Sequence, residues 1–198
     1  MLFALVAIAE PALAGRVLFI GDSRFNTGAA TRIPTLVQNS RTDITHCVDS
    51  RNGRNTIDAL AVIEAAIVTC GQVTDVVIML GINDLLLKGQ KVTSAGIAIR
   101  LRGIADRAAL TGARAWIVTE PPGPLAWGGV IDARRFVRDT RNELYQLKGA
   151  GMEHELIDAH DEFIVLHWYS AGISNDQLHP TGLAGRQAIA AAIAAALP

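Results

Sequence analysis

Arg16-Val17-Leu18-Phe19-Ile20-Gly21-Asp22-Ser23 runs from a continuous apolar segment into a small, polar turn. A strand that is apolar at successive rather than alternate positions is buried on both faces, as strands of a parallel sheet are. Gly21 lets the backbone bend sharply after such a strand, and Ser23 then stands at the start of a helix-like segment. The same pattern returns downstream. DITHCV (43–48), DVVIML (75–80), RAWIVT (114–119) and ELID (155–158) read as further strands. Between them lie helix-like segments near 57–69, 94–111, 132–148 and 182–197, the last very rich in alanine. Strand, helix and strand repeated in this order imply right-handed crossovers and a parallel sheet covered on both faces. The fold class is therefore α/β, in a single domain over 15–198, with no repeat or linker inside it.

The chain of 198 residues is long enough to bury one core without staples. Half of it is apolar, 19% is charged and the formal net charge is -1, which recommends neither nucleic acid nor an anionic membrane surface as partner. A small, neutral or weakly charged substrate suits it better. The first fourteen residues, MLFALVAIAEPALA, form a short apolar run ending in Ala12-Leu13-Ala14, which resembles the small-x-small cleavage site of an export signal. Glu10 and the lack of a basic residue before Arg16 depart from that pattern, and an N-terminal segment packed on the domain is the alternative. A periplasmic or secreted location is the expectation, with a cytoplasmic one as the rival. The run is too short to span a bilayer, so no integral membrane association is expected.

Cys47 and Cys70 occur without CxxC or HExxH spacing, which argues against a zinc site. Cys47 falls near the end of the second expected strand and Cys70 just before the third. In a parallel sheet that places them at opposite edges, ~16 Å apart at the rise of a strand. Two buried free thiols are the expectation.

Ligand sites in open α/β sheets lie beyond the carboxyl ends of the strands. Here those ends carry Gly21-Asp22-Ser23, then Asp49 to Gly53, then Gly81-Ile82-Asn83-Asp84, and after the last strand Asn175-Asp176-Gln177-Leu178-His179-Pro180. A serine hydroxyl becomes a useful nucleophile when a base can take its proton and a third group fixes that base. Ser23 is the best-placed nucleophile. Asp176 and His179, three residues apart in one tight turn, supply an orienting acid and a base, and Pro180 keeps His179 out of the final helix. Gly53, through a closely approaching backbone amide, and Asn83, through its neutral NH₂, are candidate oxyanion donors together with the amide of Ser23. Asp22 and Asp84 read as loop ties that accept backbone hydrogen bonds.

These four blocks resemble those of the SGNH (GDSL-like) hydrolases over about residues 16–197. The resemblance implies a three-layer α/β/α sandwich with a five-stranded parallel sheet. It also implies Ser23 as nucleophile, Asp176 and His179 as the rest of a triad, and an oxyanion hole built from Ser23, Gly53 and Asn83. The activity it implies is hydrolysis of small acyl esters through an acyl-serine, with no cofactor. Asn52-Gly53-Arg54-Asn55-Thr56 looks most like the arylesterase and acyltransferase branch. A carbohydrate O-acetyl esterase or O-acyltransferase with the same triad is the nearest alternative, and a non-catalytic glycan-binding module a more distant one. A flavodoxin-like nucleotide binder lacks its GxGxxG or P-loop here.

The family often has leucine after the nucleophile, whereas this chain has Arg24. Arg24 either points to solvent or pairs with a loop carboxylate, or else lines the pocket and selects an anionic substrate group. Trp127 and Trp168 are candidate pocket walls, with packing as the other reading. His46, His154, His160 and His167 are rival bases whose contexts fit less well. His46 lies inside a strand, and His160 stands among Asp158, Asp161 and Glu162, where a metal site lacks a second histidine at ligand spacing.

Overall fold

The first strand, β1 (Gly15–Gly21), sends Leu18 and Ile20 to one face of a sheet and Val17 and Phe19 to the other, all four essentially without exposure. This double burial is why the segment is apolar at successive positions. The computed structural model describes residues 15–26, 31–87, 92–122, 126–127, 130–131, 133–159, 179–180 and 182–198, with 126–127 and 130–131 as backbone. Around β1 stand β2 (Ile44–Ser50), β3 (Asp75–Met79), β4 (Arg114–Val118) and β7 (Glu155–Ile157), in the order β2-β1-β3-β4-β7 and parallel throughout. β5 (Ala126–Trp127) and β6 (Val130–Ile131) form a separate two-residue antiparallel pair.

One face of the sheet is covered by α3 (Thr56–Cys70), α4 (Ser94–Ala109) and α5 (Ala133–Gly149). Ile63, Ile67, Leu101, Ile104 and Leu144 pack there on Leu18, Ile20, Val76 and Ile78. The other face is covered by α2 (Ile33–Ser40) and α6 (Leu183–Ala196), whose Ile33, Val37, Ile189 and Ile193 pack on Val17, Phe19, Val77 and Met79. The result is the three-layer α/β/α sandwich with five parallel strands. Among the described residues, no helix is long and apolar enough to cross a membrane.

Local chemistry sets the helix ends. The Asn55 side chain accepts from the amide of Asp58 at 2.9 Å, capping α3, and that of Thr93 accepts from Gly96 at 3.1 Å, capping α4. Arg41 donates to the carbonyls of Ala194 and Leu197 at 3.1 and 2.7 Å, satisfying acceptors that the last turn of α6 leaves open. Helix α2 was not apparent in the sequence. It is only eight residues long, and it takes its order from Ile33 and Val37 buried against the sheet.

The expectation of two free thiols is overturned. Cys47 and Cys70 form a disulfide with Cα atoms 6.0 Å apart. The strand holding Cys47 runs on to Ser50, so Cys47 lies at its middle, paired in register with Leu18. Cys70 is the last residue of α3 and overhangs the sheet face, while Gly71 to Thr74 carry the chain down to the sheet edge. Distance counted along strands therefore does not apply to a residue on the layer above them.

Candidate active site

β1 pairs with β2 on one side and β3 on the other, so the chain reverses its direction of winding beyond the ends of β1 and β3. In open α/β sheets such a switch point leaves a crevice. The turn after β1 and the turn after β3 meet there.

Gly21 ends β1 where a Cβ would stand 2.5 Å from the Phe25 ring and 3.1 Å from the Met79 carbonyl oxygen. Only a residue without a side chain lets Phe25 pack back on the sheet edge. Asp22 follows, buried, with Oδ1 accepting from the Arg24 amide at 2.8 Å. This bond starts α1 (Ser23–Asn26) and fixes the backbone on either side of Ser23. Burial raises the Asp22 carboxyl above its ordinary range, opposed by the nearby Arg24 and His179 charges and by hydrogen bonds from the Arg24 amide and Asn83.

Ser23 Oγ lies 2.8 Å from His179 Nε2, across 156 positions of sequence. His179 precedes α6, and the carbonyl of its neighbour Pro180 accepts from Arg186 Nη1 at 3.1 Å. Arg186 Nη2 also reaches Thr31 Oγ1 at 2.9 Å. The final helix thus carries a buried arginine that secures the residue next to the histidine.

The turn after β3 is a short 3₁₀ segment, Ile82–Leu86. Asn83 in it is buried and donates through Nδ2 to Asp22 Oδ2 at 2.9 Å and to the Arg54 carbonyl at 3.2 Å. Gly53 lies in the turn Arg51 to Arg54, closed by the Arg54 amide donating to Arg51 at 3.0 Å, and has φ of 76°, in the region that favours glycine. The Arg51 amide donates to the Gly21 carbonyl at 3.2 Å, which ties this turn to the serine turn. Asp84 accepts from the Thr56 amide at 2.9 Å, the Thr56 hydroxyl at 2.5 Å and Arg100 at 3.0 Å. Asp22 and Asp84 are thus the loop ties that their positions suggested.

Arg24 requires a correction. It is fully buried, with Nη1 2.6 Å from Glu120 Oε1, in the loop after β4. A guanidinium without exposure has no surface to offer a substrate, so it neither points to solvent nor selects an anionic group. Its pairing with a loop carboxylate is the reading that stands. Burial pushes the Glu120 carboxyl up to about 7, against the pull of Arg24. Glu120 and Arg186 are the residues bordering the candidate site that sequence reasoning passed over.

Among the rival bases, His46 on β2 bonds the Gln38 side chain and meets the Phe19 ring edge-on, as a sheet-face histidine does. His154 bonds Asp106 at 2.7 Å, and Glu155 next to it starts β7, at the opposite edge of the sheet. Asp176, Trp168, His160 and His167 lie outside the described residues. Trp127 falls in β5 by its backbone, and its side chain is outside the description as well.

No protein-family model matches the chain, and no curated protein matches it in sequence. Solved structures do. A member of the lipolytic protein G-D-S-L family from Veillonella parvula superposes with a TM-score of 0.74 at 18% identity, covering 93% of this chain and 98% of that one. The acetyl xylan esterase AlAXEase gives 0.75 at 15% identity over 92% and 100%. An acetyl-xylooligosaccharide esterase from Geobacillus Stearmophilus gives 0.70 at 19% identity over 94% and 98%. The chain has the fold of the SGNH, or GDSL-like, hydrolases.

Proposed function

We propose that the protein is a serine ester hydrolase acting on small acyl esters, with Ser23 as nucleophile and His179 as base. The observation that carries this reading is the 2.8 Å contact of Ser23 Oγ with His179 Nε2 at the switch point of the sheet. In the proposed reaction, His179 takes the Ser23 proton as Oγ attacks the ester carbonyl carbon. The carbonyl electron pair moves to oxygen, and the tetrahedral intermediate collapses to an acyl-serine. The leaving alcohol takes the proton from His179. Water then attacks the acyl-serine by the same route, releasing the acid and restoring Ser23.

Asp176, three residues before His179, is assigned the orienting role that the resemblance gives it. The oxyanion is assigned to the amides of Ser23 and Gly53 and to Asn83. An arriving oxyanion competes for Asn83 with the Arg54 carbonyl, the longer of its two bonds at 3.2 Å, while Asp22 keeps the amide oriented. Ser23→Ala should abolish hydrolysis of p-nitrophenyl acetate in folded protein. Hydrolysis by that variant, or none by the wild type, would defeat the reading.

Carbohydrate O-acetyl esters are the second substrate reading, favoured by the two acetyl xylan and acetyl-xylooligosaccharide esterases among the similar folds. Acetylated xylan and a sugar acceptor offered together separate the possibilities, because an O-acyltransferase yields acylated sugar in excess of free acetate. The Cys47–Cys70 disulfide and the apolar N-terminal run support export to an oxidising compartment, and fractionation of the producing cell tests that placement.

A further inference from the structure

Glu120 borders both the serine turn and the asparagine turn. Its Oε1 meets Arg24, the residue after the nucleophile, at 2.6 Å. Its Oε2 stands against Gly81, two residues before Asn83. Gly81, with φ of 147°, makes room for this approach, since a Cβ there would stand 3.2 Å from Glu120 Oε2. Arg24 in turn donates its amide to Asp22 at 2.8 Å, and Asp22 accepts from Asn83 at 2.9 Å. The contacts close a ring: Glu120, Arg24, Asp22, Asn83, and back along the turn to Gly81, which packs against Glu120.

The ring draws together groups that follow three different strands. Arg24 and Asp22 follow β1, Gly81 and Asn83 follow β3, and Glu120 follows β4. A buried ion pair is a poor source of net stability, because desolvation offsets the attraction. Its geometric content is larger, since both partners are confined to one arrangement in a medium of low dielectric. The ring thus fixes how far the serine turn stands from the asparagine turn.

We propose that Glu120, acting through Arg24 and its contact with the Gly81 turn, is a positioning residue that holds Ser23 and Asn83 in register for the tetrahedral intermediate. The role rests on the esterase reading above. It concerns the transition state more than the ground state, because small misplacements of catalytic groups reduce turnover while leaving binding of a small ester nearly intact.

The experiment compares wild type, Glu120→Gln and the double variant Arg24→Leu with Glu120→Leu on p-nitrophenyl acetate, with thermal unfolding measured for each. Glu120→Gln keeps the shape and removes the charge. The double variant removes both members of the ion pair together, so neither is left buried without the other, and it is the one to fold if Glu120→Gln does not. The expected result is a fall in kcat of about tenfold or more in the folded variants, with KM within about twofold of wild type. A folded double variant with wild-type kcat would overturn the positioning role and leave the esterase reading intact. A wild type that turns over no ester would defeat the esterase reading, and the positioning role with it.

Discussion

Arg186 Nη1 donates to the carbonyl of Pro180 at 3.1 Å, so α6 grips the backbone one residue beyond His179, the proposed base. Arg186 is 8% exposed on a helix whose other residues, Gln187 apart, are small or apolar. Its second contact, to Thr31 at 2.9 Å, ties the same guanidinium to the residues before α2. Arg186→Met keeps much of the buried stem and removes both bonds. It should lower kcat on p-nitrophenyl acetate by about tenfold through a displaced His179. An unchanged kcat in folded protein would show that the Arg186 bonds do not hold His179 in place.

Gly21→Ala places a methyl group 2.5 Å from the Phe25 ring and 3.1 Å from the Met79 carbonyl oxygen. The backbone oxygen has little room to move, so Phe25 must leave its place beside Phe19. Overpacking of this kind costs about 1–3 kcal/mol. Because Phe25 lies in the same short helix as Ser23, activity should fall further than the loss of stability alone explains. Chemical denaturation and steady-state rates on the same preparation check both parts.

The disulfide closes a loop of sequence separation 23 around the residues from Cys47 to Cys70. On the chain-entropy account a loop of that size stabilises by about 3 kcal/mol. Titration of the unfolded, unreduced protein should find no free thiol. Reduction should lower the midpoint of unfolding by several degrees, and Cys47→Ser with Cys70→Ser should reproduce the shift. Two titratable thiols in protein that was never reduced would contradict the pairing.

Glu120 makes stability depend on pH in a definite direction. Its carboxyl is raised in the folded protein from 4.5 to about 7, so the folded state binds this proton more tightly than the unfolded one. Between about pH 4.5 and pH 7 the folded chain therefore holds more protons, and Glu120's contribution to stability declines as pH rises through that window. Thermal unfolding of wild type and Glu120→Gln across pH 5 to 8 should show a steeper decline in wild type. Parallel curves would mean that Glu120 titrates near its ordinary value.

The sheet was legible because burial on both faces leaves an unmistakable trace in strands such as RVLFI, and the helices covering it were long enough to show their period. The loops carrying Ser23, Gly53, Asn83 and His179 were legible because they follow those strands. What escaped was set by packing between layers. Helix α2 takes its order from contacts far off in sequence. The fate of Arg24 depended on Glu120, nearly a hundred positions away, and neither residue carries a local signal of the other. Arg186 did leave a trace, as a lone charge in an alanine-rich helix, and a buried charge in such a setting asks for a partner. The cysteines misled because a helix end sits above the sheet, where spacing along a strand has no meaning.

The ring closed by Cys47 and Cys70 contains the whole of the Gly53 turn and all of α3 up to its last residue. A protease that cuts once anywhere inside it leaves two fragments still joined, running as one species until a reductant is added. The Gly53 turn, one of the three places assigned to the oxyanion, thus lies in a part of the chain that a single cut does not release.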